Sequence, residues 1–154
     1  MKSTVLAVGP VKGVIAAVVQ DFETRAGRYW KLVVVEVDAG AGGGSDPDSV
    51  KAAEEERLLR RLDDHAEVVA LTRSGQPMGS RAFASYLAER ALHARDLAFV
   101  IGGAFGLGPR LLARARQLTL SAMTLPHDVA RLMLAEQLYR AGTILRGEPY
   151  HKGP

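Results

Sequence analysis

No cysteine occurs in this chain of 154 residues. That removes disulfides, thiolate zinc clusters and a cysteine nucleophile together, so a metal would have to be held by His and carboxylates. The histidines, His65, His93, His127 and His151, show no ligand spacing, and no metal site is expected. Long apolar runs are missing too: nothing approaches the roughly 20 uninterrupted apolar residues of a membrane span. The fairly apolar stretch up to Val19 is broken by Gly9, Pro10 and Lys12, with no small-residue cleavage site after it. The chain therefore reads as soluble and cytoplasmic, with no membrane partner. Phosphate-cradling motifs are also absent. Neither Gly-x-Gly-x-x-Gly nor Gly-x-x-x-x-Gly-Lys-Ser/Thr occurs, which disfavours dinucleotide and nucleoside-triphosphate sites.

What is present is ordinary globular composition, 47% apolar and 24% charged, which argues against long disorder. The length suits one domain spanning 1–154. The net charge of +3 is unevenly spread: residues 97–154 carry +4 and the preceding residues −1. A basic C-terminal third fits a polyanionic partner, although such patches specify little alone.

Strand and helix patterns alternate throughout. Thr4 to Val8 reads as a first strand, followed after Gly9-Pro10 by a helix in which Val14, Ile15, Val18, Val19 and Phe22 keep helical spacing and which Gly27 ends. Leu32 to Val37 is a β-branched second strand, and Ala39 to Ser45 is too glycine-rich for regular structure. Asp46 before Pro47 starts a helix with Val50, Ala53, Arg57, Leu58 and Leu62 on one side. Val68 to Thr72 is a third strand. A turn at Ser74-Gly75-Gln76-Pro77 precedes a helix capped by Ser80, along which Phe83, Tyr86, Leu87 and Ala91 line up. Leu97 to Ile101 is the fourth strand, Pro109 opens a short helix, Leu118 to Ala122 is the fifth strand, and a last helix runs from about His127 to Leu145. This alternation predicts an α/β fold with a mainly parallel, five- or six-stranded sheet and helices on both faces.

The most informative stretch begins at Leu97. An apolar strand runs straight into Gly102 and Gly103, as suits a buried parallel strand whose C-terminal end leaves room for something else. Four blocks then follow in order: Ile101-Gly102-Gly103 with Gly106-Leu107; Leu120-Ser121 with Thr124-Leu125-Pro126-His127; Ala135-Glu136-Gln137-Leu138-Tyr139-Arg140-Ala141; and Pro149-Tyr150-His151. Together with the opening Leu6-Ala7-Val8-Gly9 they closely resemble the RlmH family, SPOUT-class methyltransferases that modify a pseudouridine of bacterial 23S rRNA.

The resemblance implies a SPOUT fold with a C-terminal trefoil knot that forms a pocket for S-adenosyl-L-methionine. It implies cofactor contacts from Leu71, Gly102, Gly103, Leu120, Ser121, Ala122, Met123, Thr124, Leu125 and Pro126. Tyr150, His151 and Arg140 become the catalytic candidates: Tyr150 to stack on the base, His151 to hydrogen-bond or accept a proton, and Arg140 to stabilise the imide anion. The implied reaction is methylation of N3 of a pseudouridine in helix 69 of 23S rRNA within the assembled ribosome. The implied assembly is a homodimer in which both chains build each site.

Departures from the family pattern are specific. Ala104-Phe105 fills a variable spot of the glycine turn, Thr72 stands where an Asp is common, and the loop from Ala39 to Gly44 lacks the Lys or Arg that members often carry. Taken without the family, the same residues have plainer readings. The glycines fit a tight turn with no ligand, Leu120 and Leu125 fit a core, His127 fits a helix start, and Glu136 with Arg140 fits a solvated ion pair. The alternative function is accordingly a non-catalytic RNA-binding or ribosome-associated protein of SPOUT fold, which cofactor binding would discriminate. An unrelated small-molecule α/β enzyme is a remote third, given the missing phosphate motifs.

Overall fold

The computed structural model describes residues 1–40 and 46–154. Its elements are β1 (Lys2–Val8), α1 (Val14–Ala26), β2 (Lys31–Val37), α2 (Pro47–Leu59), β3 (Glu67–Pro77), α3 (Ser80–Leu92), β4 (Leu97–Ile101), α4 (Pro109–Arg114), β5 (Ala115–Thr119) and α5 (His127–Leu145). The strands form a five-stranded sheet in the order β2-β1-β4-β3-β5, with every pairing parallel. β4 lies in the middle and all its residues are buried, which is why its sequence is an unbroken apolar run. The period of two along β1 separates two cores. Val5 and Ala7 pack with Phe83, Leu134 and Leu138 on the side of α1, α3 and α5, whereas Leu6 and Val8 pack with Leu58, Val100 and Leu111 on the side of α2 and α4.

Several local expectations are corrected. The expected turn at Ser74-Gly75-Gln76-Pro77 belongs to β3: Leu71 and Gln76 both pair with Leu118, so residues 72–75 bulge from the ladder. Gly75 permits this, because a Cβ there would lie 2.5 Å from the carbonyl carbon of Leu118. β5 covers Ala115–Thr119 rather than Leu118–Ala122. As an edge strand it pairs on one side only and needs no continuous apolar run. Gly79, not Ser80, is the N-cap of α3, and Ser80 Oγ instead donates to Gln137 Oε1 of α5 at 2.7 Å.

The buried residues of α2 are Val50, Glu54, Glu55 and Leu58, not the expected row through Ala53, Arg57 and Leu62. Each carboxylate accepts a backbone donor, Gly40 N–H to Glu54 Oε1 at 2.8 Å and Leu111 N–H to Glu55 Oε2 at 3.0 Å, and Glu55 Oε1 also accepts from Arg110 Nε at 3.1 Å, whereas Glu54 Oε2 has no partner among the described residues. On α1 Val19 and Ala26 are buried and Ile15 and Phe22 half-buried, while Val14 and Val18 of the apolar row are exposed. The loop read from Ala39 to Gly44 lies, from residue 41 on, outside the described residues.

Candidate active site

A cavity of about 750 Å³ opens at the C-terminal end of β4 and beside the bulge of β3, within the roughly 300–1,000 Å³ of small-molecule sites. Residues 71–74, residues 101–107 and, apart from Ala122, residues 120–127 form its walls. Leu71, Gly102, Gly103, Leu120, Ser121, Met123, Thr124, Leu125 and Pro126 thus face one space, whereas Ala122 is exposed outside it. Sequence reasoning missed Thr72, Arg73, Phe105 and Gln117 on the lining. The β3 bulge brings in the first two, and its pairing was not readable from residue type.

Local chemistry shapes these walls. After β5, Thr119 Oγ1 donates to Ser121 O at 2.6 Å and accepts from Ser121 N–H at 3.2 Å, and Met123 N–H donates to Ser121 Oγ at 3.0 Å. Such side-chain turns replace a ladder, so the segment into α5 follows an irregular path. The glycine turn is tight for reasons inside the protein. A Cβ on Gly102 would lie 2.9 Å from the carbonyl carbon of Gly106, and one on Gly103 would lie 2.7 Å from Glu54 Oε2. Buried Glu54 therefore stands directly behind the cavity wall, and Gly106 closes the turn at φ +81°. His127 lines the cavity from the first turn of α5, with Nε2 3.4 Å from Pro10 O.

The catalytic candidates gather elsewhere. Beyond α5 the chain reverses at Gly147, φ +67°, and Glu148 N–H donates to Thr143 O at 2.9 Å. Tyr29 Oη then donates to Glu148 Oε2 at 2.5 Å, so the tail is docked rather than frayed. Docking sets the Tyr150 ring 4.6 Å from that of Tyr139, edge to face, and 4.8 Å from the guanidinium carbon of Arg140. Glu136 is the hub that sequence reasoning passed over as a surface ion pair. Its Oε1 accepts from Arg140 Nε at 3.0 Å, from Arg140 Nη2 and from Tyr150 Oη at 3.0 Å, while Oε2 accepts from Gln137 Nε2 at 2.7 Å.

Electrostatics follow from this hub. The Glu136 hydrogen bond holds the Arg140 guanidinium above its ordinary range against the opposing effect of burial. Burial, reinforced by Glu136, pushes the Tyr150 phenol up, so it remains a neutral donor. Arg140 Nη1 lies 3.2 Å from His151 Nδ1. A guanidinium only donates, so Nδ1 must be the acceptor and the neutral ring carries its proton on Nε2. That Nε2 is buried without a partner among the described residues, a spare donor in an otherwise satisfied cluster.

The cavity sits at the start of α5 and the cluster along its middle and second half. His127 and Ala130 line the cavity, but no cluster residue does. Arg140 follows His127 by 13 residues, hence about 20 Å along the helix. Among the described residues, no group of three or more His, Cys, Asp or Glu is placed to hold a metal.

A parallel α/β sheet with a small-molecule cavity over its strand ends is the architecture of a ligand-binding α/β protein. The chain belongs to the SPOUT methyltransferase family, since the family described as "Predicted SPOUT methyltransferase" matches residues 1–151. It is therefore a methyltransferase, as the C-terminal blocks implied. It is similar to a protein of Gemmatimonas aurantiaca named "Ribosomal RNA large subunit methyltransferase H", with 50% identity over 99% of this chain and 100% of that one. Proteins of the same name from Anaeromyxobacter dehalogenans and Clostridium kluyveri are 44% and 38% identical, again over 99% of this chain and their full lengths. The fold is shared with TrmJ from Z. mobilis (TM-score 0.52, 17% identity, 100% of this chain and 73% of that one). It is also shared with a "probable methylase family protein" of Haemophilus influenzae (TM-score 0.57, 13% identity, 98% and 70%).

Proposed function

We propose that this protein is an S-adenosylmethionine-dependent methyltransferase of the large ribosomal subunit RNA, acting on N3 of a pseudouridine in helix 69 of 23S rRNA. The observation that carries this reading is its end-to-end similarity to relatives named for large-subunit rRNA methylation, through the docked tail. The substrate is the assembled ribosome, the place of work the cytoplasm, and the working unit a homodimer of single-domain chains spanning 1–154. The C-terminal knot of the family belongs to the same reading, with residues 120–127 as the segment around the cofactor.

The residues present fit that cofactor. Apolar Leu71, Leu120 and Leu125 offer an adenine slot, and the irregular 120–126 backbone offers peptide groups uncommitted to a ladder. S-adenosylmethionine, when bound, supplies an electrophilic methyl group on a sulfonium. The protein's own task is to place the imide nitrogen in line and to stabilise it without its proton. Arg140 and, once the tail shifts to uncover it, the unpartnered His151 Nε2–H are donors suited to the flanking carbonyl oxygens, where the anion's charge resides. Tyr150 supplies an aromatic edge for the base. A general-base role for His151 would require its ring to leave Arg140, so the donor role is the one this geometry supports.

Homodimerisation has a physical motive here. The cluster is displaced along α5 from its own chain's cavity, with Glu136 about 9 Å beyond Ala130 and Arg140 about 20 Å beyond His127, so a second copy is what can bring the two together. Apolar surface is available for that contact: Val14 is 96% exposed, and Val129, Leu132 and Met133 of α5 are half-buried outside both cores.

Calorimetric titration with S-adenosylmethionine, with and without ribosomes lacking the modification, tests the reading when methyl transfer is followed in the same samples. Cofactor binding with transfer only onto ribosomes is expected. No cofactor binding under any condition would overturn it in favour of a non-catalytic RNA-binding protein. Normal single-turnover transfer by His151→Ala and Arg140→Ala would remove their assigned roles.

A further inference from the structure

The mouth of the cavity carries two side chains, Phe105 and Arg73, that neither the expected cofactor contacts nor the tail cluster uses, and Met123 of the cofactor segment lies on the same lining. Phe105 stands in the turn closed by the Gly106 N–H to Gly103 O bond at 3.1 Å, and it is 45% exposed although its backbone is held in place. Met123, 77% exposed, lines the same cavity from the segment after β5. Arg73 is presented by the β3 bulge, which Gly75 pins against the backbone of β5. Its Nη1 donates to Thr124 Oγ1 at 3.3 Å, and it forms no ion pair with the described residues. No carboxylate is among the described lining residues.

A single exposed apolar residue is ordinary surface. An aromatic plate, a thioether and a guanidinium without a counter-ion on one rim form a different kind of surface. The plate offers a face to a nucleobase, and the cation offers a fork to the phosphate beside it. The cofactor carries a sulfonium and an ammonium against one carboxylate, a net positive charge, and so is a poor overall complement to Arg73. A polyanion is the better complement.

We propose that Phe105 stacks an unpaired base of the RNA next to the methylated nucleotide, with Met123 flanking it and Arg73 on the adjoining phosphate. This inference rests on the RNA-methyltransferase reading and adds the residues that hold the substrate at the cavity mouth. The test uses Phe105→Ala, Phe105→Trp and Arg73→Gln in the full chain, with unmodified ribosomes as substrate and thermal unfolding to verify folding. Phe105→Ala should raise KM for ribosomes about 5- to 150-fold, the range of one base–aromatic stack, while leaving cofactor affinity unchanged. Phe105→Trp should restore KM, which a misfolded alanine variant could not predict. Arg73→Gln should lower the salt slope of ribosome binding by about one. An unchanged ribosome KM in Phe105→Ala overturns the platform. So does a weakened cofactor affinity, which would make Phe105 a wall of the cofactor slot, or an altered dimer mass, which would make the rim a contact between copies. Wild-type protein that methylates no RNA removes the underlying reading and the platform together, whereas wild-type transfer with an indifferent Phe105→Ala removes the platform alone.

Discussion

Gly142, midway along the last turns of α5, is the position where a single methyl group should disturb stability and catalysis together. A Cβ there would overlap Cγ of the Tyr29 ring. Tyr29 donates to Glu148 of the tail and its ring lies 5.9 Å from that of Tyr139, the ring against which Tyr150 packs. Two effects oppose in Gly142→Ala. Helix propensity favours Ala over Gly by about 1 kcal/mol, while overpacking costs about 1–3 kcal/mol, and displacement of Tyr29 forfeits the tail's hydrogen bond as well. We expect a net loss of about 2 kcal/mol, read as a fall of about 4–8 °C in the thermal midpoint. In a Tyr29→Gly background both the ring and the Cβ that would lie at 2.7 Å are gone, only the propensity gain survives, and Gly142→Ala should stabilise by up to about 1 kcal/mol. Thermal and urea unfolding of the four proteins in this cycle measure the sign change. Single-turnover methylation should fall in Gly142→Ala, because the anchor of Glu148 precedes Tyr150 and His151 in the tail. Stabilisation of the wild-type background by Gly142→Ala, or the same effect in both backgrounds, would refute the reasoning.

Gly103→Ala should push on Glu54, whose carboxylate is anchored to Gly40 N–H at 2.8 Å, and weaken S-adenosylmethionine binding by at least about tenfold; wild-type affinity by calorimetry would contradict the placement of that wall. Glu136→Gln removes the charge shared by Arg140 and Tyr150, and the single-turnover rate should fall by about 100-fold, an expectation that an unchanged rate in quench-flow would reject. Glu67 meets the Tyr86 hydroxyl at 2.7 Å, Arg90 at 3.2 Å and Arg95 at 3.5 Å. Burial pushes its carboxyl up, but these donors outweigh burial and hold it below the ordinary range. Its contribution to stability is therefore present above the unfolded value of about 4.3 and lost as pH falls through the folded value. The advantage of wild type over Glu67→Gln in urea unfolding should shrink on acidification below about pH 4, and a constant difference across that range would be inconsistent.

Much of the architecture was legible in the chain because it is written in local periodicity. The unbroken run Leu97–Ile101 identified the central strand, and the positions of α1, α3 and α5 followed from helical spacing and from Gly and Pro punctuation. Edges were less legible. β5 is half-exposed and pairs on one side only, so its apolar content is too low to stand out, and the apolar residues just after it drew the expected strand three positions too late. The β3 bulge was read as a turn because Ser, Gly and Pro are turn residues, whereas here Gly75 serves close approach to β5.

By itself the sequence determined the strand and helix alternation, the strand-end glycine turn and, through contiguous blocks, the methyltransferase family. Those features are local or nearly so, and a few adjacent side chains carry each of them. Tertiary structure alone decided that Glu54 and Glu55 are buried, since a carboxylate looks the same in sequence whether it faces water or a backbone amide. It alone made Glu136 a hub and left the His151 Nε2 unpaired, because both depend on a tail that folds back onto α5. It alone placed the cavity at the start of α5 and the cluster along its middle and second half, a separation set by helical rise and by which residues the sheet brings to its strand ends.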